Sequence, residues 1–369
     1  MDTFKNKLTA LQKTAKERTV KTQNIEYDLE TLVKKVNKNT IKLDPEYQRN
    51  HRWSVETSSK LIESLILNIP IPLIYLSQDV DVDTEPEDDV ARYSVIDGQQ
   101  RLTAIIDFMT NQFALTELNV LKDLNDSFYK DLPPFLVRRL EERTIKCLRI
   151  DSTVDAQVKY DIFERLNSGS IKLEAQELRN AVYRGSFNNL IKQLSKNEDF
   201  RILLQVNLEE PDESNKVKKM EDVELVLRYF SLIDENYLNY KKGFKQFLSS
   251  QMEKMNELPE QKLEEMKQRF IKVFRGIREI FGDTAFAKYK KDGDSLKRVS
   301  KFNAAVFDAL AVSYSECVNI HEPKLSQECA VKYQELFYNE EFNDSVTGSV
   351  NDREKIIKRI DYVKQVLCK

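Results

Sequence analysis

The run Val95-Ile96-Asp97-Gly98-Gln99-Gln100-Arg101-Leu102 brings together the groups that phosphate chemistry needs. A strand-forming stretch, Arg92 to Ile96, enters a glycine turn. A helix with Leu102, Ile105, Ile106 and Met109 follows. Strand, tight turn and helix start aim backbone N–H groups at an anion. Gly98 permits close backbone approach and positive φ. Arg101 adds a planar cation suited to phosphate, at a position where its loss should cost little packing. Gln99 and Gln100 could orient a water or a phosphate oxygen. Asp97 could cap the helix, hold a metal through water, or act as a base. The same residues also fit a plain strand-to-helix corner capped by Asp97 with Arg101 in solvent, and the segment alone leaves both readings open.

Three further groupings stand out. In Gln48-Arg49-Asn50-His51-Arg52-Trp53 two arginines flank an imidazole just before a helix. Trp53 reads as a core anchor, and no carboxylate can be paired with His51 from sequence. In Glu164-Arg165-Leu166-Asn167-Ser168-Gly169, Asn167 with Gly169 looks like a helix end. Gln176, Glu177, Arg179 and Asn180 fall on the next helix. That set fits either a polar hinge that buttresses two domains or direct ligand contact. Lastly, Lys241-Lys242-Gly243-Phe244-Lys245 and the stretch Lys288 to Lys301 are basic. Lys290, Lys291, Lys297 and Arg298 are candidate phosphate-backbone contacts, and Tyr237, Tyr240 and Tyr289 candidate base-stacking rings. A solvated helical face is the competing reading.

Taken in order, Tyr47 to Trp53, Leu61 to Pro72, Asp97 to Thr103, Phe163 to Gly169 and Leu173 to Ala181 resemble the N-terminal domain of GmrSD-type modification-dependent restriction enzymes (domain of unknown function 262), a branch of the ParB/sulfiredoxin-like superfamily. The resemblance spans roughly residues 27 to 230. It implies a nucleoside triphosphate held by Gln48, Arg49, Gly98, Arg101 and Thr103, with Asp97, Gln99 and Gln100 as the catalytic group. Arg49 would lie beside the Gln-Gln-Arg loop. Arg52, Asn167, Gln176, Glu177, Arg179 and Asn180 would stand behind these as hinge or supporting residues. Mg2+ would accompany hydrolysis. Many members add an HNH-type nuclease, which needs clustered His and Asn. Here His321 is alone in the C-terminal half, so cutting of DNA by this chain alone is doubtful.

Composition narrows the setting. The chain has 369 residues, a net charge of −3 and 32% charged residues. Any nucleic-acid contact must therefore come from a local patch. Only 8 Gly and 9 Pro, with many Lys, Glu and Leu, favour helices. The four cysteines, 147, 317, 329 and 368, are scattered with no CxxC pair, and there are two histidines, so no zinc site of usual spacing can be written. With no signal peptide or membrane-length apolar run, a reducing cytoplasm is expected. The alternating acids Asp79, Asp81 and Asp83 fail as a calcium loop, because Thr84 sits where the turn glycine belongs.

The elements that must position these residues follow from patterning. Leu29, Leu32, Val33 and Val36 make a short helix, and Ile41 to Leu43 a short strand. Thr57 to Asn68 is a helix with Leu61, Ile62, Leu65, Ile66 and Ile69 inward. Pro70 and Pro72 set up a buried strand, Leu73 to Leu76. Arg92 to Ile96 and Thr144 to Ile150 are further strands, and from Val154 almost only helices are expected, with a turn at Lys291-Asp292-Gly293-Asp294. The expected fold is α+β: a basic N-terminal helix or arm (1–22), a small mixed-sheet ParB-like domain (23–152) and an all-α domain (153–369). The expected function is a nucleotide-binding, hydrolysing module of a prokaryotic restriction or anti-phage system. Nucleotide state would gate recognition of DNA (modified or foreign) or of a separate nuclease partner, and a homo-oligomer is possible. The alternatives are a non-catalytic interaction module and a ParB-like DNA nickase.

Overall fold

The computed structural model describes residues 21–43, 53–78, 93–151, 154–166, 174–241, 243–320 and 327–368. The chain divides into two compact units, Met1–Leu173 and Glu174–Lys369. The expected α+β class is borne out, and no helix among the described residues is long and apolar enough to cross a membrane.

The first unit is built on a mixed five-stranded sheet. Its strands are β1 (Thr22–Asp28), β2 (Ile41–Lys42), β3 (Ile74–Gln78), β4 (Tyr93–Asp97) and β5 (Thr144–Ile150), in spatial order β1-β5-β3-β4-β2. β1 runs antiparallel to β5, β5 parallel to β3, β3 antiparallel to β4, and β4 parallel to β2. The sequence reading overlooked β1. Its residues are mostly exposed, so the apolar alternation that marks a half-buried strand is faint, and only pairing with β5 defines it.

Around the sheet pack α1 (Leu29–Asn37), α2 (Val55–Ile66), α3 (Gln99–Met109) and α4 (Pro134–Glu141), with Leu32, Ile62, Leu65, Ile105, Phe108 and Leu140 fully buried. Asp28 caps α1 and Ser54 caps α2. The inward face expected for α2 is correct except at Ile69, which is 49% exposed. The helix has ended by then, and Asn68 at φ 63° turns the chain away. The helix α5 (Ala156–Leu166), assigned from sequence to the helical half, groups with this unit. It packs on β4, and Lys159 reaches the carbonyl of Gln78.

The second unit is mostly helical: α6 (Ala175–Val182), α7 (Ser186–Leu194), α8 (Glu198–Leu203), α9 (Asn215–Lys218), α10 (Glu221–Leu232), α11 (Phe244–Asn256), α12 (Glu260–Phe281), α13 (Ala304–Ile320), α14 (Gln327–Glu335), α15 (Glu340–Ser345) and α16 (Arg353–Leu367). An aromatic cluster fills its centre, with Phe270 and Phe274 ring centroids 4.2 Å apart and Phe200 4.9 Å from Phe274. Asp308 of α13, fully buried, accepts from both Arg228 and Arg359, tying α10, α13 and α16 together.

Two expectations for this half are corrected. It is not all-α, because β6 (Lys288–Asp292) and β7 (Ser295–Ser300) form an antiparallel hairpin. The turn foreseen at Lys291–Asp294 is its tip: Gly293, at φ 62°, supplies the backbone that a two-residue loop needs. And the scattered cysteines conceal a pair. Cys317 and Cys368 form a disulfide, brought together from 51 positions apart by the packing of α13 on α16.

Candidate functional site

The turn between β4 and α3 is where the predicted residues converge. Gly98 is the N-cap of α3, at φ 98°, and no side chain caps the helix. A Cβ there would approach Cγ1 of Ile74 to 3.0 Å and the Arg101 guanidinium to 3.3 Å. Both the left-handed backbone and the close approach therefore require glycine. The capping role considered for Asp97 is not what the fold uses. Its Oδ2 accepts from Arg101 at 2.8 Å.

Arg101 is the largest departure from expectation. It is 8% exposed, not in solvent. One guanidinium nitrogen donates to the carbonyls of Pro72 and Leu73, the two residues that lead into β3. Another holds Asp97. Pro72 and Leu73 precede the ladder of β3, and the cation takes up their carbonyls in place of a strand partner. Arg101 therefore fastens the start of β3 to the turn, and its charge is offset by Asp97. The thiol of Cys147, opposite Ile74 in the sheet, is pushed up to about 12 by burial, against the opposing pull of Arg101.

Gln99, Gln100 and Thr103 are also buried, in the first turn of α3. Gln100 has a divided environment. Its Oε1 accepts the backbone N–H of Trp53 at 3.0 Å, while its Nε2 is buried with no hydrogen-bond partner among the described residues. An orphaned amide donor in the interior is costly, by roughly 1–3 kcal/mol. Gln48, Arg49 and Arg52 lie outside the described residues. The chain re-enters at Trp53, which packs partly buried against the core of this unit and, through that bond, on the first turn of α3.

Gln176, Glu177, Arg179 and Asn180 belong to the second unit, and Asn167 lies outside the described residues. All four are at most 5% exposed. Arg179 donates to Gln176 and to Glu224 of α10, each at 2.9 Å, and Gln176 donates to Asn180. Glu177 closes a capping box with the backbone of Glu174. This lattice fastens α6 to α10, and of the Arg179 guanidinium only Nε is buried without a partner among the described residues.

Of the rings proposed for stacking, Tyr237 and Tyr240 are buried. Tyr289 leans on Phe337. Lys290, Lys291, Lys297 and Arg298 are exposed on the hairpin. Among the described residues no three His, Cys, Asp or Glu side chains are grouped to hold a metal ion. In the first unit a buried carboxylate went unnoticed in the sequence: Glu63 accepts the N–H groups of Asn119, Val120 and Leu121. Burial pushes its carboxyl up, yet those three bonds outweigh it and hold it below its ordinary value. Its place among the apolar positions of α2 was the available signal.

Residues 29–184 match the family model described as GmrSD restriction endonuclease, N-terminal domain. The match begins at the first residue of α1 and ends just past α6, so it covers the turn and the Gln176–Asn180 lattice. The resemblance carried by the sequence motifs is borne out over that span. No curated protein and no solved structure matches the chain.

Proposed function

With residues 29–184 a domain of the GmrSD N-terminal family, we propose that the turn from Asp97 to Arg101 binds a nucleoside triphosphate and that nucleotide state governs how the protein engages DNA in a restriction or anti-phage defence system. The observation that carries this reading is the Nε2 of Gln100. It is a buried amide donor without a partner among the described residues, in the first turn of a helix whose N-terminus no side chain caps. A phosphate oxygen would satisfy it and would meet the positive end of the helix dipole. Arg101 sets the turn in place and Gly98 leaves room for close approach. This assigns Gln100 to phosphate binding, because its oxygen is already committed to Trp53.

Magnesium fits as an ion bound mainly by phosphate. Arg101 takes one oxygen of Asp97 and leaves Oδ1 as a protein ligand. Bound there, the ion would neutralise charge on the transferred phosphoryl group.

A second reading is a non-catalytic interaction module, favoured by one observation: Arg101 donates internally, which takes the turn's own cation away from a ligand. A thermal-shift panel of nucleotides, with and without magnesium, separates the two. A nucleoside triphosphate at a hundred times its dissociation constant should stabilise by about 2.7 kcal/mol. No shift with any nucleotide, in either condition, would overturn the nucleotide-binding reading. A shift without magnesium-dependent phosphate release would leave a nucleotide-binding module that does not hydrolyse.

A further inference from the structure

Residues 288–301 hold six lysines and arginines against two aspartates, in a chain whose net charge is −3. The fold puts five of the six basic residues on the two strands of the β6–β7 hairpin. Register places Lys290 directly opposite Lys297, and Tyr289 opposite Arg298. Because side chains alternate along a strand, the hairpin has two unlike faces. The face with Tyr289 is held to the body of the unit: Tyr289 packs on Phe337, and the hydroxyl of the adjacent Tyr338 donates to the carbonyl of Asp294. The other face carries Lys290 and Lys297, with Asp292 and Ser295 beside them at the tip, while Val299, 61% exposed, falls at the register shift where the alternation breaks.

Two ammonium groups opposite each other on one face repel. Neither forms an ion pair among the described residues, nor do Lys291 and Arg298. The hairpin thus keeps two cations without an ion pair on this face, next to Asp292, and two more, Lys291 and Arg298, exposed on the other.

The geometry points to this hairpin as a ribbon that enters the major groove of duplex DNA. A two-stranded β-ribbon fits that groove, which is about 12 Å wide. The paired lysines would face the phosphates that flank it. An A-form RNA duplex has a major groove too narrow for the same approach. The inference rests on the reading of a DNA-directed system, though not on the nucleotide.

The test is duplex affinity by fluorescence anisotropy, across a salt series, with the full chain. Lys290→Glu sets a carboxylate opposite Lys297, so the hairpin itself should be no weaker. Affinity for B-form DNA should fall about tenfold and the dependence of log affinity on log salt should flatten by roughly one. Lys290→Gln with Lys297→Gln should flatten it by about two without adding repulsion. Unchanged affinity and slope in both variants would overturn the assignment. So would equal binding of duplex RNA, or tighter binding of poly-glutamate than of DNA, which would mark the hairpin as a dock for an acidic protein. Nucleotide-induced thermal shifts, measured on the same samples, decide the turn at Gly98 separately.

Discussion

The backbone N–H of Trp53 donates to Oε1 of Gln100 at 3.0 Å, across 47 positions of sequence. This bond joins the segment just before α2 to the first turn of α3. It fixes the Gln100 amide so that its Nε2 is buried with no partner among the described residues. Gln100→Leu removes the orphaned donor and also the acceptor used by Trp53. Each term is about 1–3 kcal/mol and they oppose, so the stability of the ligand-free protein should change by no more than about 2 kcal/mol. The nucleotide-induced thermal shift should vanish. A shift kept in the variant would place the phosphate elsewhere.

Arg101→Ala should destabilise the first unit, contrary to what an exposed helix start would imply. It strips the carbonyls of Pro72 and Leu73 and the carboxylate of Asp97 of their shared donor. A loss of about 2–4 kcal/mol is expected in denaturant titration. An unchanged midpoint would mean that water replaces the guanidinium without cost.

Leu65→Ala tests the packing of α2. Leu65 is fully buried in the core of the first unit. Truncation should cost roughly 2–5 kcal/mol, depending on how far the cavity collapses. Calorimetry showing no drop in Tm would place the hydrophobic face of α2 elsewhere.

Asp222, near the start of α10, is 3% exposed, and burial raises its carboxyl from 3.8 to about 7. The folded state therefore holds a proton that the unfolded state releases. The stability this confers is intact below pH 3.8 and is lost as pH rises to about 7. Asp222→Asn should leave stability at pH 4 nearly unchanged and raise it at pH 8. The ceiling for this span is about 4 kcal/mol. Equal effects at the two values would show that Asp222 is ionised throughout.

What the sequence determined by itself is what local spacing dictates. The run from β4 through Gly98 into α3 was legible because a strand pattern, a glycine and a helical stripe follow one another without a gap. The inward face of α2 was legible for the same reason. So was the family resemblance over residues 29–184, since its motifs are short stretches in fixed order. The basic cluster at Lys290–Arg298 was legible as charge. Its shape had a signal as well, the Asp292-Gly293-Asp294 turn, which was read as a break between helices and proved to be the tip of a hairpin.

Only the tertiary structure decided which polar groups are already spoken for. Nothing local to Arg101 announces that the carbonyls of Pro72 and Leu73, nearly thirty residues earlier, will claim its guanidinium. Nor does anything near Gln100 reveal that Trp53 takes its oxygen while its nitrogen finds no partner among the described residues. Arg179, a candidate hinge residue by position, is bound within its own unit by Glu224. Hydrogen bonds and ion pairs between distant segments depend on chain crossings that leave no periodic trace in sequence. They also decide function, because a polar group can meet a ligand only with the capacity that the fold has not used.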